Sequence, residues 1–241
     1  MTTDKNKTIL TIDNYLDNHY IHRSNWLRAP VLGANDGIIS ISSLAIGVAA
    51  ASSTREPIVL ATVAGLVAGS LSMAAGEYVS VSSQTDTEKA DVEREIKELK
   101  DKPKEELNML AQIYEKRGLR KETAMQVAIE LTEKDALGTH IRDELGINEI
   151  SQANPIQAAL ASGLAFTVGG VLPLLVILFA PVIKMKYWLY ESTIVFLIIL
   201  GTMAAKTGGS SIQKAIVRIT IWGTIAMGLS ALVGYIFGVR M

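Results

Sequence analysis

The chain contains no cysteine. That excludes disulfide frameworks, thiolate zinc sites and iron–sulfur clusters, so any metal must be held by oxygen, imidazole or thioether ligands. Net charge is nearly absent too, with 24 acidic residues against 23 basic ones for a formal net of -1. No nucleic-acid partner is expected. The opening residues, MTTDKNKTILTID, lack the basic, apolar, small-residue order of a cleaved signal, so the first span is expected to act as its own insertion signal. No Glu-x-x-His pair occurs, and a ferritin-like di-iron oxidase needs such pairs on facing helices.

What is abundant is apolar sequence. Of 241 residues, 49% are hydrophobic, and mean hydropathy is +0.29. Runs of roughly 20 apolar residues, the length that crosses a bilayer core, recur too often for a soluble domain. The expected fold is all-α: an integral membrane protein with five transmembrane helices, near 31–51, 58–81, 156–182, 188–205 and 215–239. Charge is concentrated between the second and third. Residues 84–152 hold 17 of the acidic and 12 of the basic side chains, a local net of -5. The chain thus divides into an interfacial N-terminal helix (1–30), two spans (31–83), a helical insert (84–152) and three spans (153–241). Proline at 103 and glycines at 118 and 146 should break the insert into three or four helices. Counting short-loop cations, Lys5, Lys7, Arg23, Arg28, Lys206, Lys214 and Arg218 oppose Arg55, Lys184, Lys186 and Arg240, which places the N-terminus and the insert in the cytosol.

One stretch carries most of the chemistry. Gly65, Gly69, Met73 and Glu77 recur every four residues, a single stripe on a membrane helix. The two glycines allow close backbone approach to a neighbour. Asp36, in Asn35-Asp36-Gly37, is expected to interrupt the start of the first span. An ionisable group there is either functional or a helix cap at the interface. Beyond Glu77 the same helix is expected to run into the insert, where Glu88, Asp91, Glu95 and Glu98 share a side and repel one another. A bound cation would remove that repulsion; a solvated acidic face is the alternative. Glu106 and Met109 stand three apart on the second insert helix, and His140 and Glu144 one turn apart on the last. Val92, Ile96 and Leu99 supply an apolar seam. His19 and His22 are spaced for a metal pair but have no third ligand beside them.

WLRAPVLGANDGI (26–38), GSLSMAAGEYVSVSSQTDTEKAD (69–91), KDALGTHIRDELGI (134–147) and NPIQAALASGLAFTVGGVLPLL (154–175) resemble the vacuolar iron transporters and their bacterial and archaeal relatives. The resemblance covers nearly the whole chain. It implies a homodimer that exchanges protons for cytosolic Fe2+, often also Mn2+, along a pathway at the dimer interface. Asp36 and Met73 match pathway positions. Glu95, Glu98, Glu106 and Glu144 match a cytosolic metal-binding domain. Three positions depart from the pattern: Gly65 stands where plant members have a glutamate, Met109 where a glutamate is expected, and His140 where a methionine is expected. The transport pathway is therefore expected to use Asp36, Met73 and Glu77, with Glu77 in place of the glutamate absent at 65. The metal-binding set is Glu95, Glu98, Glu106, Met109, His140 and Glu144, with Glu88, Asp91 and Asp143 as weaker candidates. The metals are cargo, and no resident cofactor is expected. A prokaryotic inner membrane is favoured over a vacuolar one. A membrane-anchored metal sensor and a metal-dependent oxidase are the rival readings.

Overall fold

In the computed structural model, residues 20–147 and 154–238 are described, with side chains from residue 30 onward. They form seven α-helices and no strand: α1 (Tyr20–Ala51), α2 (Arg55–Asp101), α3 (Pro103–Lys116), α4 (Lys121–Asp143), α5 (Pro155–Phe179), α6 (Met185–Thr207) and α7 (Ile212–Gly238). A 3-10 turn, Val182–Lys184, joins α5 to α6. Five helices are long and apolar enough to cross a bilayer: α1 from Pro30, the apolar part of α2, α5, α6 with its leading turn, and α7. The protein is an all-α, multi-pass membrane protein.

The chain forms two compact units. The first takes residues up to Glu77 and from Gln157 onward. Its helices meet where side chains are smallest, because membrane helices associate by backbone-to-backbone packing rather than by a hydrophobic drive. A Cβ on Gly37 would strike the Phe166 carbonyl of α5, and one on Gly169 would strike that of Ala34 in α1. At the other end of α1, Gly234 lies against the Gly47 carbonyl and Gly238 against Ala51. Ala45, Ile46, Ile58, Ile177, Met185, Leu189 and Met227 form the main buried cluster, and Ile41, Leu66 and Phe166 a second. Polar groups inside are mostly paired, as they must be where no water reaches. Ser42 and Thr193 hydroxyls lie 2.7 Å apart, and the Ser70 hydroxyl donates to the Gly163 carbonyl at 2.9 Å. Arg55 donates to the carbonyls of Leu178, in the last turn of α5, and of Ala180, just beyond it, at 2.5 and 2.6 Å. A guanidinium there satisfies helix-end acceptors and complements the negative end of the helix dipole.

Two local expectations are corrected. Pro30 and Asn35-Asp36-Gly37 do not divide α1, which is continuous from Tyr20 to Ala51. The triplet stays helical because Gly37 is needed for contact with α5 and because Asp36 accepts a hydrogen bond from Ser40 one turn on. The Gly65 and Gly69 notches do not meet a neighbouring backbone; they receive the Leu44 side chain and the Phe166 ring.

The second unit is residues 78–156. The polar end of α2 closes at Asp101, where Pro103 starts α3 at a position that has no need of an N–H. Gly118 ends α3 with φ +102, a backbone region that glycine enters without a Cβ clash. In α4 a break at Asp135 joins two helical pieces, and the Asp135 carboxylate accepts the Gly138 N–H at 2.9 Å. Leu110, Ala111 and Ala128 form the core of this unit, with Leu107, Tyr114 and Met125 against them. The apolar seam expected along α2 is only partial. Ile96 is 49% exposed, whereas its neighbour Glu95 is 1% exposed, so the inward-pointing residue at this level is a carboxylate.

Candidate metal centre

Glu95 on α2, Glu106 on α3, and His140 and Glu144 on α4 converge in the second unit. Each offers one donor atom, and the four donors lie within 4.8 Å of one another. Among the described residues this is the only such group of three or more histidines and carboxylates. Donors about 2.1 Å from a shared ion lie at most about 4.2 Å apart. An inward shift of a few tenths of an ångström per ligand would close the group on an ion.

Local structure explains the convergence. His140 and Glu144 are one turn apart on the last piece of α4, which the Asp135 cap sets off from the helix before it. Glu106 lies in the first turn of α3, which Pro103 starts just beyond the end of α2. Burial is deep: Glu95 is 1% exposed, Glu106 5% and His140 0%. Two carboxylates so enclosed, with the half-buried Glu144 beside them, are costly unless paired, and the pairing is incomplete. His140 Nδ1 lies 2.9 Å from both Glu144 Oε2 and Glu95 Oε1, yet only the Glu144 contact has hydrogen-bond geometry. One ring nitrogen carries at most one proton, so it cannot satisfy both. Glu95 Oε1, Glu106 Oε2 and His140 Nε2 are buried without any hydrogen-bond partner. Orphaned buried polar atoms on residues gathered in one cluster are what a cation would relieve.

Electrostatics agree. These residues lie well past the apolar part of α2. Burial is the main cause that raises the Glu95 carboxyl above its ordinary value of 4.5, followed by the charge of Glu144; His140 acts the other way. Glu106 is raised in the same manner, by burial first and then by Glu144 and Glu98. The set of carboxylates plus one imidazole suits first-row divalent ions such as iron and manganese, and lacks the thiolates of structural zinc sites.

The remaining candidates fall outside this group of four. Glu98 and Asp91 flank Arg94, at 3.7 and 3.9 Å, and Glu88 accepts from Gln84 at 2.9 Å. The acidic stripe therefore has its own cation in Arg94 and is not uniformly repulsive. Met109, one turn from Glu106, is 44% exposed. The Asp143 carboxylate accepts from Arg117 at 2.6 Å, Tyr114 at 2.9 Å and Arg142 at 3.0 Å. Burial works to raise it, but those three donors together hold it below its ordinary 3.8. Its lone pairs are committed to holding α3 and α4 together.

In the membrane unit, Asp36 is half-buried and accepts the Ser40 hydroxyl at 2.5 Å. Beside it Asn35 Oδ1 is buried without a partner. Met73 packs against Ile41, Leu66 and Phe166, and Glu77 is half-buried. Among the described residues Asp36 and Glu77 belong to no group of three histidines or carboxylates. Sequence reasoning passed over Ser40, although its four-residue spacing from Asp36 on a helix marks the contact. The His19 and His22 pair lies outside the residues whose side chains are described.

The model of the VIT family matches residues 27–235. The chain belongs to the VIT family. Among its relatives in that family, a vacuolar iron transporter of Acanthamoeba castellanii is 42% identical over 216 residues, covering 88% of this chain and 79% of its own length. Vacuolar iron transporter homolog 2.1 of Arabidopsis thaliana is 35% identical, with 88% and 81% coverage. VIT-like transporter 1b of Glycine max is 31% identical, with 96% and 86% coverage. The match to the family model runs from α1 to α7 of this VIT-family chain.

Proposed function

We propose that the protein carries Fe2+, and also Mn2+, out of the cytosol in exchange for protons, as a homodimer and without catalysing a chemical reaction. The observation that carries this reading is the buried, under-paired group of Glu95, Glu106, His140 and Glu144, on a chain whose relatives are named iron transporters. The insert, in the cytosol, gathers the ion there. Asp36, Met73 and Glu77 form the crossing site together with the same residues of a second copy, because two carboxylates and a thioether from one chain are too few ligands for an ion. Carboxylates in that setting bind either a metal or a proton, and competition for the same oxygens is sufficient for exchange. The relatives are named vacuolar, so the expectation of a prokaryotic inner membrane gains no support from them.

The test is transport into liposomes, with Fe2+, Mn2+, Co2+ and Zn2+ compared under an imposed pH gradient. Fe2+ uptake should require the gradient and should fail in Asp36→Ala. Uptake indifferent to both would refute exchange through Asp36.

A further inference from the structure

Between α5 and α6 lies an apolar groove of about 530 Å³, within the roughly 300–1,000 Å³ typical of small-molecule sites. Leu172, Leu175, Phe179, Pro181, Trp188 and Phe196 line it. Phe179 is 83% and Trp188 52% exposed, and Ile183, on the turn between the two helices, is 92% exposed. The residues of that turn and the start of α6 carry two cations, Lys184 and Lys186. Both are exposed, and among the described residues neither is paired with a carboxylate. Lys186 lies 5.5 Å from the centre of the Tyr187 ring, and no acidic residue precedes Glu191 on this helix.

Two unpaired ammonium groups, two belt aromatics and an apolar trough combine the features that hold a charged headgroup above an acyl chain. We infer that this groove is a binding site for one anionic phospholipid, with its chain along Phe179, Trp188 and Phe196 and its phosphate between Lys184 and Lys186. A zwitterionic lipid would fill the trough but leave the lysine charges uncompensated. A second copy docked symmetrically on this face would bring like residues toward like and set lysines against lysines. The anionic lipid satisfies both halves of the site. This inference rests on the membrane fold alone and is independent of the transported ion.

The chain has three tryptophans, so the double variant W26F/W222F leaves Trp188 as the only indole. Its fluorescence is read in nanodiscs that hold a fixed mixture of phosphatidylglycerol and phosphatidylcholine, with bromine on the chains of one lipid or the other. Each lysine beside an anionic headgroup favours it by about fivefold. Brominated phosphatidylglycerol should therefore quench Trp188 several-fold more than the same mole fraction of brominated phosphatidylcholine, and K184Q/K186Q should make the two equal. Equal quenching in the parent, or a preference that survives K184Q/K186Q, would overturn the site. The unsubstituted chain gives a second reading by native mass spectrometry in a mixed-lipid detergent. Retained phosphatidylglycerol that K184Q/K186Q abolishes supports the proposal. Retention of neither lipid, or of a second copy of the chain in its place, refutes it.

Discussion

Replacing Glu95 by glutamine separates two accounts of the insert that predict opposite signs. If Glu95 and a protonated His140 are a structural ion pair, removing one partner leaves a buried charge and costs about 3–5 kcal/mol. If the four residues are a metal site, Glu95 is a strained group whenever no ion is bound. The geometry favours the second account: only the contact of His140 Nδ1 with Glu144 Oε2 has hydrogen-bond geometry, and Glu95 Oε1, also 2.9 Å from Nδ1, makes no hydrogen bond. Glutamine keeps the shape, removes the charge that Glu144 and Glu106 repel, and relieves a buried unpaired acceptor worth roughly 1–3 kcal/mol. The metal-free variant should thus be as stable as the parent, or more stable by about 1 kcal/mol. Its metal affinity should move the other way. Loss of an outer partner of a metal ligand already costs about 10–100-fold, and loss of a ligand itself should cost at least ~100-fold. The assay is calorimetric titration of the full chain with Fe2+ under anaerobic conditions, or with Co2+ as a spectroscopic substitute, together with denaturation midpoints with and without metal. A variant that unfolds markedly more easily without metal, or binds Co2+ as tightly as the parent, would refute this reasoning.

The other predictions concern pH, one flanking residue and one helix contact. Glu95 and Glu106 have folded-state values raised above 4.5, so their protonated forms are favoured by folding. The metal-free insert should therefore gain stability as pH falls from neutral through those raised values, while metal affinity falls over the same interval because protons compete for the same oxygens; hydrogen exchange and titration at stepped pH report both. Met109→Ala alters an exposed side chain, and its metal affinity should stay within about twofold of the parent, the span of ordinary surface substitutions; a tenfold loss would make Met109 a ligand. Gly37→Ala drives a Cβ into the Phe166 carbonyl, whereas Gly228→Ala on α7 meets open space. The first should lower the thermal midpoint and yield of folded protein by the equivalent of about 1–3 kcal/mol or more, and the second should be neutral; similar midpoints for the two would contradict the packing of α1 on α5.

Several features were legible without coordinates because they depend on local periodicity or on backbone chemistry. Apolar runs of bilayer length, Pro103 after Asp101, glycine at 118 and the pairing of His140 with Glu144 one turn on each follow from spacing along a single helix. The corrections share a cause. Asn35-Asp36-Gly37 reads as an interruption of the first span only until the carbonyl of Phe166 on α5 fills the space that Gly37 leaves. The pair Gly65 and Gly69 reads as a backbone contact, but its partners turn out to be the side chains of Leu44 and Phe166.

The sequence by itself determined the five spans, the polar insert and the chemical types available to hold a metal, since hydropathy and donor atoms belong to residues one at a time. Tertiary structure decided which carboxylates work together. On the helix surface Glu88, Asp91, Glu95 and Glu98 look alike; only packing of α3 and α4 against that face buries Glu95 with Glu106, His140 and Glu144 and leaves Asp91 and Glu98 outside with Arg94. It likewise commits Asp143 to Tyr114, Arg117 and Arg142, although Asp143 adjoins Glu144 in sequence. Burial is set by neighbours distant in the chain, and it is burial that turns one acid of a repeating stripe into a strained, metal-ready ligand.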